Sequence, residues 1–285
     1  MNRRAASAII RARSERPFSG GTPLKLCALA SGSKGNAIYV ASDGFGVLID
    51  AGLSGRDLEE RLNASGINPK SIGALILTHD HRDHCHGAGV WARRYGVKLY
   101  APAGVPAAIA ASYGERTLNR VKVEEFEPGG NFAVEGMEFA SFKTSHDAHA
   151  SVGFRIKNGL ATIGFATDLG LVDQEVERAL SGCDMLYLES NHDEEMLRKG
   201  PYPYFLKRRI ASDVGHLSNS DASKLLRKLV NPNLKGVILG HLSETNNDPA
   251  VAYGEAHTAL ALEGAEEDVL LLVARQSVPG RIVDI

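Results

Sequence analysis

A chain of 285 residues that is 44% apolar and 23% charged can bury a substantial core and is too apolar to remain disordered. Its 32 basic and 34 acidic side chains leave a net charge of -2, which excludes a globally cationic nucleic-acid binder and requires any polyanion to meet a local patch. Three widely spaced cysteines, Cys27, Cys85 and Cys183, do not make a disulfide framework, and no run approaches the roughly 18 apolar residues of a membrane span, so a cytoplasmic location with no membrane partner is expected.

Residues 1–22 carry Arg3, Arg4, Arg11, Arg13 and Arg16 among Ser, Ala and Gly, without the apolar core of a signal peptide, and are expected to be a disordered basic arm. A mitochondrial presequence and a nucleic-acid tether have similar composition. From there apolar patterning predicts strands over 24–30, 37–41, 46–50, 74–78, 97–101, 138–143, 152–157, 161–167, 185–189, 237–240 and 269–274. Helices are predicted over 54–64, where Ser54 caps, Asp57 follows three residues on and Leu58 and Leu62 share a face, and over 87–95, 173–180, 218–229 and 249–262. Closely spaced strands come first and helices mix in later. Residues 23–285 are therefore expected to form a single α/β (α+β) domain of two packed sheets with helices outside.

The run His79-Asp80-His81-Arg82-Asp83-His84 directly follows the apolar segment 73–78. Three imidazoles and two carboxylates on a short segment behind a buried strand suit a divalent transition metal, whereas the bland reading is a His-rich hydrophilic turn. One ion on His79 and His81 leaves Asp83 and His84 pointing elsewhere; two ions use them all. Further donors stand at or just beyond three remote strand ends: His146, Asp168 and His241. His149 competes with His146, which lies nearer its strand end. His86 borders the loop, His257 is incidental, and Cys85 is a small packed side chain. Asp50 ends another strand, either as a support for the ligand loop or as a turn former before Gly52.

Other segments carry candidate contacts. Ser31-Gly-Ser-Lys-Gly-Asn36 has the glycines to turn tightly and present backbone N–H groups, with Ser33, Lys34 and Asn36, to an anion. Glu189-Ser-Asn-His192-Asp193 offers Glu189 and His192 as supports for metal ligands, and Gly215-His216-Leu-Ser-Asn219 offers His216 and Asn219 to a substrate. Lys207, Arg208 and Arg209, interleaved with Tyr202, Tyr204 and Phe205, make either a polyanion contact with stacking aromatics or a solvated helix face packed by its aromatics.

From about Leu24 to Asn247 these strings resemble the YycJ/WalJ (VicX) family of metallo-β-lactamase-fold proteins. The resemblance implies a four-layer αββα metallo-β-lactamase sandwich with two divalent ions, zinc or manganese with iron also acceptable. By position, His79, His81 and His146 would bind one ion, Asp83, His84 and His241 the other, and Asp168 would bridge them, with Asp50 supporting the loop. It also implies a DNA exonuclease working from the 5′ end, with nucleic acid as the partner. A bridging hydroxide on the binuclear centre would attack the phosphodiester; Asp83 would orient it and accept its proton, and His216 would contact the scissile phosphate or protonate the departing oxygen. The alternatives are a phosphodiesterase for small cyclic or modified nucleotides and, in another class, a non-catalytic regulatory protein stabilised by its metals. The residues leave metal identity, DNA against RNA, polarity and oligomeric state open.

Overall fold

The computed structural model describes residues 23–159 and 161–285; the arm expected over 1–22 lies outside the described residues. Strands β1 (Lys25–Ala30), β2 (Ala37–Ser42), β3 (Phe45–Ile49), β4 (Ile72–Ile76), β5 (Lys98–Pro102) and β6 (Val123–Phe126) run in that order through one sheet. A second sheet holds β7 (Asn131–Val134), β8 (Met137–Lys143), β9 (Val152–Asn158), β10 (Ala161–Ala166), β11 (Met185–Glu189), β12 (Gly236–Gly240) and β13 (Leu270–Val273), and β14 (Val283–Asp284) returns to pair with β1. The helices are α1 (Gly55–Ala64), α2 (Arg82–Cys85), α3 (Ala88–Tyr95), α4 (Val105–Tyr113), α5 (Gln174–Leu180), α6 (Glu194–Lys199), α7 (Tyr204–Ile210), α8 (Asn219–Leu229) and α9 (Pro249–Leu262). No helix among the described residues is long and apolar enough to cross a membrane.

Strand periodicity sorts the side chains into three cores. Leu26, Val40 and Val47 of the first sheet meet Phe139, Phe154 and Phe165 of the second, so alternate residues face inward between the sheets. Their neighbours Leu29, Leu48 and Leu75 face outward under Leu58, Leu62 and Trp91 of α1 and α3. On the far side Leu186, Leu188 and Val237 lie under Leu180, Leu225 and Ala256 of α5, α8 and α9. Both faces of both sheets are covered, which is the αββα layering expected, and explains why central strands such as β10 are buried throughout instead of alternating with polar residues.

Three strands escaped the sequence pattern for physical reasons. β6 and β7 are edge strands with exposed charged or polar positions, and β14 has two residues. Among the helices, α4 has no amphipathic stripe to betray it, and α2 is one turn inside the His-rich loop. What positions the site is strand direction. β3 and β4 run parallel, as do β10, β11 and β12, and β8 shares the direction of β10 through two antiparallel pairings. Their carboxyl ends therefore open on one rim of the sandwich, the place where an open α/β sheet delivers polar side chains.

Candidate metal centre

Six residues of the cluster leave strand ends at that rim, Asp50 after β3, His79 after β4, His146 after β8, Asp168 after β10, Glu189 at the end of β11 and His241 after β12, while His81, Asp83 and His84 come from the loop and short α2 that follow His79. Asp50, Asp168 and His241 have φ of 64°, 55° and 56°, half of the non-glycine positive-φ residues described. Such backbone costs about 1–3 kcal/mol per residue, and here it turns the chain sharply enough to send three side chains into one volume. Gly52 serves the same end, since a Cβ there would stand 1.6 Å from the Asp83 carbonyl oxygen, blocking the loop from closing on the strand end.

Four overlapping groups of possible ligands result: His79, His81 and His146; His79, His84 and Asp168; Asp83, His84 and His241; and Asp168, Glu189, His216 and His241. His81 Nδ1 lies 3.2 Å from His146 Nε2, His84 Nε2 lies 3.3 Å from Asp168 Oδ2, and His241 Nε2 lies 3.6 Å from Asp83 Oδ2. Donors about 2.1 Å from one tetrahedral ion stand roughly 3.3 Å apart, so the spacing fits. His79 Nε2, Asp168 Oδ2 and His241 Nε2 are buried without hydrogen-bond partners. Each such atom costs about 1–3 kcal/mol when left unsatisfied, and a cation among them removes that penalty. The residues present thus fit divalent ions.

The opposite edge of each ring is tied down. Asp50 is fully buried, and its carboxylate accepts from Thr78 N and Thr78 Oγ1 and from His84 Nδ1 at 2.8 Å. Asp50 is therefore a support for the ligand loop and not a solvent-facing turn residue. Thr78 Oγ1 is 2.9 Å from His79 Nδ1, and Gly215 O is 3.0 Å from His146 Nδ1. Glu189 is the most heavily used support: one oxygen accepts from His216 Nδ1 at 2.9 Å and His241 Nδ1 at 2.7 Å, and the other from the backbone N–H groups of Leu169 and Leu217. These bonds leave the far nitrogens of His79, His84, His146 and His241 facing the centre.

Electrostatics agree. Burial opposes the charged form of His84 and His241, yet the facing carboxylates, Asp168 foremost, hold His84 well above its ordinary value and raise His241 to about 10. Burial pushes His79 well below. Asp168 resists burial because His241 and His84 keep it ionised far below the usual carboxylate range. The negative charge that draws protons onto two imidazoles would equally hold cations.

Other expected residues fall elsewhere. His149 is exposed, with its backbone N–H on Asp80, and its ring is apart from the cluster; His86 and His257 are exposed. Cys85 is buried with its thiol on the Asp80 carbonyl. Two proposed substrate contacts, Asn36 and Asn219, need correction. Asn36 is buried, donating to Gly32 O and lying 3.0 Å from His84 Nε2, so it props the loop. Lys34 is exposed but is paired with Glu244 at 2.6 Å, while Ser33 stays exposed beside it. Asn219 is buried and bonded to Ser190 and Asn247. Ser31, which the sequence did not single out, accepts from the His241 N–H and Tyr187 hydroxyl, clamping the turn that aims His241.

His216 is half-buried, 3.7 Å from Asp168, and borders a cleft of about 600 Å³ shared with Gly170, His192, Tyr204, Lys207 and Arg208. His192 makes no side-chain hydrogen bond to a ligand residue; it lines this cleft instead of propping the centre. Lys207 and Arg208 face the cleft, whereas Arg209 is engaged by Asp147. Tyr204 and Phe205 are 75% and 72% exposed, which rules out the reading that they pack α7 onto the core.

Comparison with known proteins gives the family. Residues 46–241 match the model of the "Beta-lactamase superfamily domain". The chain is 36% identical over 229 residues to exodeoxyribonuclease WalJ of Streptococcus pneumoniae, covering 80% of this chain and 85% of that protein. It is 36% identical over 224 residues to exodeoxyribonuclease YycJ of Bacillus anthracis, covering 79% and 84%. Among solved structures, zinc-bound PqqB of Methylobacterium extorquens superposes with a TM-score of 0.70 at 18% identity over 92% of this chain and all of that one. The metallo-beta-lactamase fold protein YhfI of Bacillus subtilis gives 0.69 at 16% identity over 93% of this chain and all of that one.

Proposed function

Because the chain belongs to the beta-lactamase superfamily and, within it, to the family of WalJ and YycJ, we propose that it is a metal-dependent exodeoxyribonuclease that digests DNA from the 5′ end. The observation that carries the reading is the meeting of His79 Nε2, Asp168 Oδ2 and His241 Nε2, buried and unpartnered, in one volume gathered from three strand ends. His79, His81 and His146 would hold one divalent ion and Asp83, His84 and His241 a second, with Asp168 between them; imidazole and carboxylate donors suit zinc or manganese, and iron next. Paired ions, when bound, supply water acidified toward a pKa of about 7 and positive charge for the entering and leaving oxygens.

The chain's own groups do the rest. Asp83 is partly exposed, with its carboxylate 3.5 Å from His84 Nε2 and 3.6 Å from His241 Nε2. It orients the attacking water and accepts its proton. Glu189 holds His216 Nδ1 and so aims its ring to contact the scissile phosphate or protonate the departing oxygen. Lys207 and Arg208 supply the local positive patch that the near-neutral chain otherwise lacks, and the three buried free cysteines suit a reducing cytoplasm.

A time course on end-labelled single- and double-stranded DNA and RNA, with defined added metals, tests this. Release of a 5′ label as small nucleotide, abolished by chelation while the circular-dichroism spectrum persists, is the expected result. Internal cutting, or turnover indifferent to chelation, refutes it.

A further inference from the structure

The cleft beside His216 has features that metal binding does not use. Its floor includes His192, which is 3% exposed yet has a buried Nδ1 without a hydrogen-bond partner. His192 is held in place from its backbone: its carbonyl accepts from Asn219 N, and it pairs with Ser218 as an isolated parallel bridge. A buried imidazole with an unpartnered nitrogen, held in a fixed position on the wall of an open cleft, keeps unused hydrogen-bonding capacity beside it. Tyr204 forms another wall with its ring largely exposed, and the Arg208 guanidinium lies 6.0 Å from the ring centroid. An exposed aromatic joined to an arginine is a stacking surface for a nucleobase.

Both signs of charge line the cleft. The carboxylates of Glu194 and Asp221 stand at the His192 end, both in reach of Ser218 Oγ, and repel phosphate from that end. Lys207 and Arg208 stand on α7, and His216 opens the cleft to the metal centre. A nucleotide placed phosphate-inward would meet two carboxylates; placed base-inward it meets Tyr204 and His192 while its phosphate stays near cations. A volume of about 600 Å³ suits one nucleotide and not a stacked run of several.

We propose that this cleft seats the terminal nucleotide of the strand, base against Tyr204 and His192 and phosphate toward Lys207 and Arg208. The ligand class is a nucleoside monophosphate unit, and His192 with Tyr204 are positioning residues that bring a strand end to the centre. This rests on the nuclease reading above and adds how the end is recognised.

The test compares DNA with an ordinary 5′-terminal nucleotide and DNA with an abasic residue there, using metal-loaded protein. Wild type should favour the ordinary terminus by about tenfold in kcat/KM, the scale of one base–aromatic stack. Tyr204→Ala should erase that preference through KM, Tyr204→Phe should restore it, and His192→Ala should narrow it. Because Tyr204 is exposed, its variants test the idea even where His192→Ala misfolds. Wild-type protein that digests DNA but treats both termini alike overturns the cleft assignment and leaves the nuclease reading intact. If no DNA is digested, the nuclease reading falls, and calorimetry with a deoxynucleoside monophosphate against inorganic phosphate decides the cleft by itself: binding of the nucleotide alone, weakened by Tyr204→Ala, supports it, and equal or absent binding refutes it.

Discussion

The cluster around Asp168 and the face of α7 meet at His216, yet their side chains are held in opposite ways. In the cluster Asp50, Glu189, Thr78 and the Gly215 carbonyl each fix one edge of an imidazole, and the strained turns at Asp168 and His241 leave little freedom. On α7 the aromatic pair Tyr204 and Phe205 is exposed, and Lys207 reaches only a backbone carbonyl, of Arg198. Ion binding demands donors placed within a fraction of an ångström, so its supports are numerous and buried. A polyanion that must slide through successive positions is better met by mobile cations and π-faces.

Three variants would break or sharpen that contrast. Asp168→Ala removes the carboxylate that faces four imidazoles, those of His84, His146, His216 and His241, and turnover should fall to background with loss of bound metal, read by elemental analysis beside a rate assay. Glu189→Gln keeps the shape but weakens the hold on His216 and His241; a fall of about 10–100-fold in activity is expected. Retained full activity would show that the support is dispensable. The smallest effect is expected on α7, where Lys207→Ala with Arg208→Ala should raise KM, leave metal content unchanged, and flatten the salt dependence of binding by about 0.7 in slope for each phosphate no longer neutralised. An unchanged slope would remove α7 from the substrate path.

The contrast also explains what was legible beforehand. The run from His79 to His84 is local, so its donors could be counted in the sequence, and His146, Asp168 and His241 stood out as polar residues after apolar strands. Their shared volume could not be seen, because it depends on strands from two sheets opening on one rim. Asn36, Lys34 and Asn219 show the same limit from the other side. Residue type suggested substrate contacts, but the direction each side chain takes is set by partners distant in sequence, including Glu244 for Lys34 and Asn247 for Asn219. The glycine-rich turn likewise clamps His241 through Ser31, more than two hundred residues away.

By itself the sequence determined the layering, through apolar periodicity, and the chemical character of the centre, through the donor types it collects, because both are properties of short segments. Only the tertiary structure decided which nitrogen of each imidazole faces inward, that Glu189 serves two histidines, and that His192 lines a cleft instead of propping a ligand. Those outcomes depend on distances between atoms brought together by sheet packing, and hydrogen bonds form or fail within a few tenths of an ångström that no linear pattern encodes.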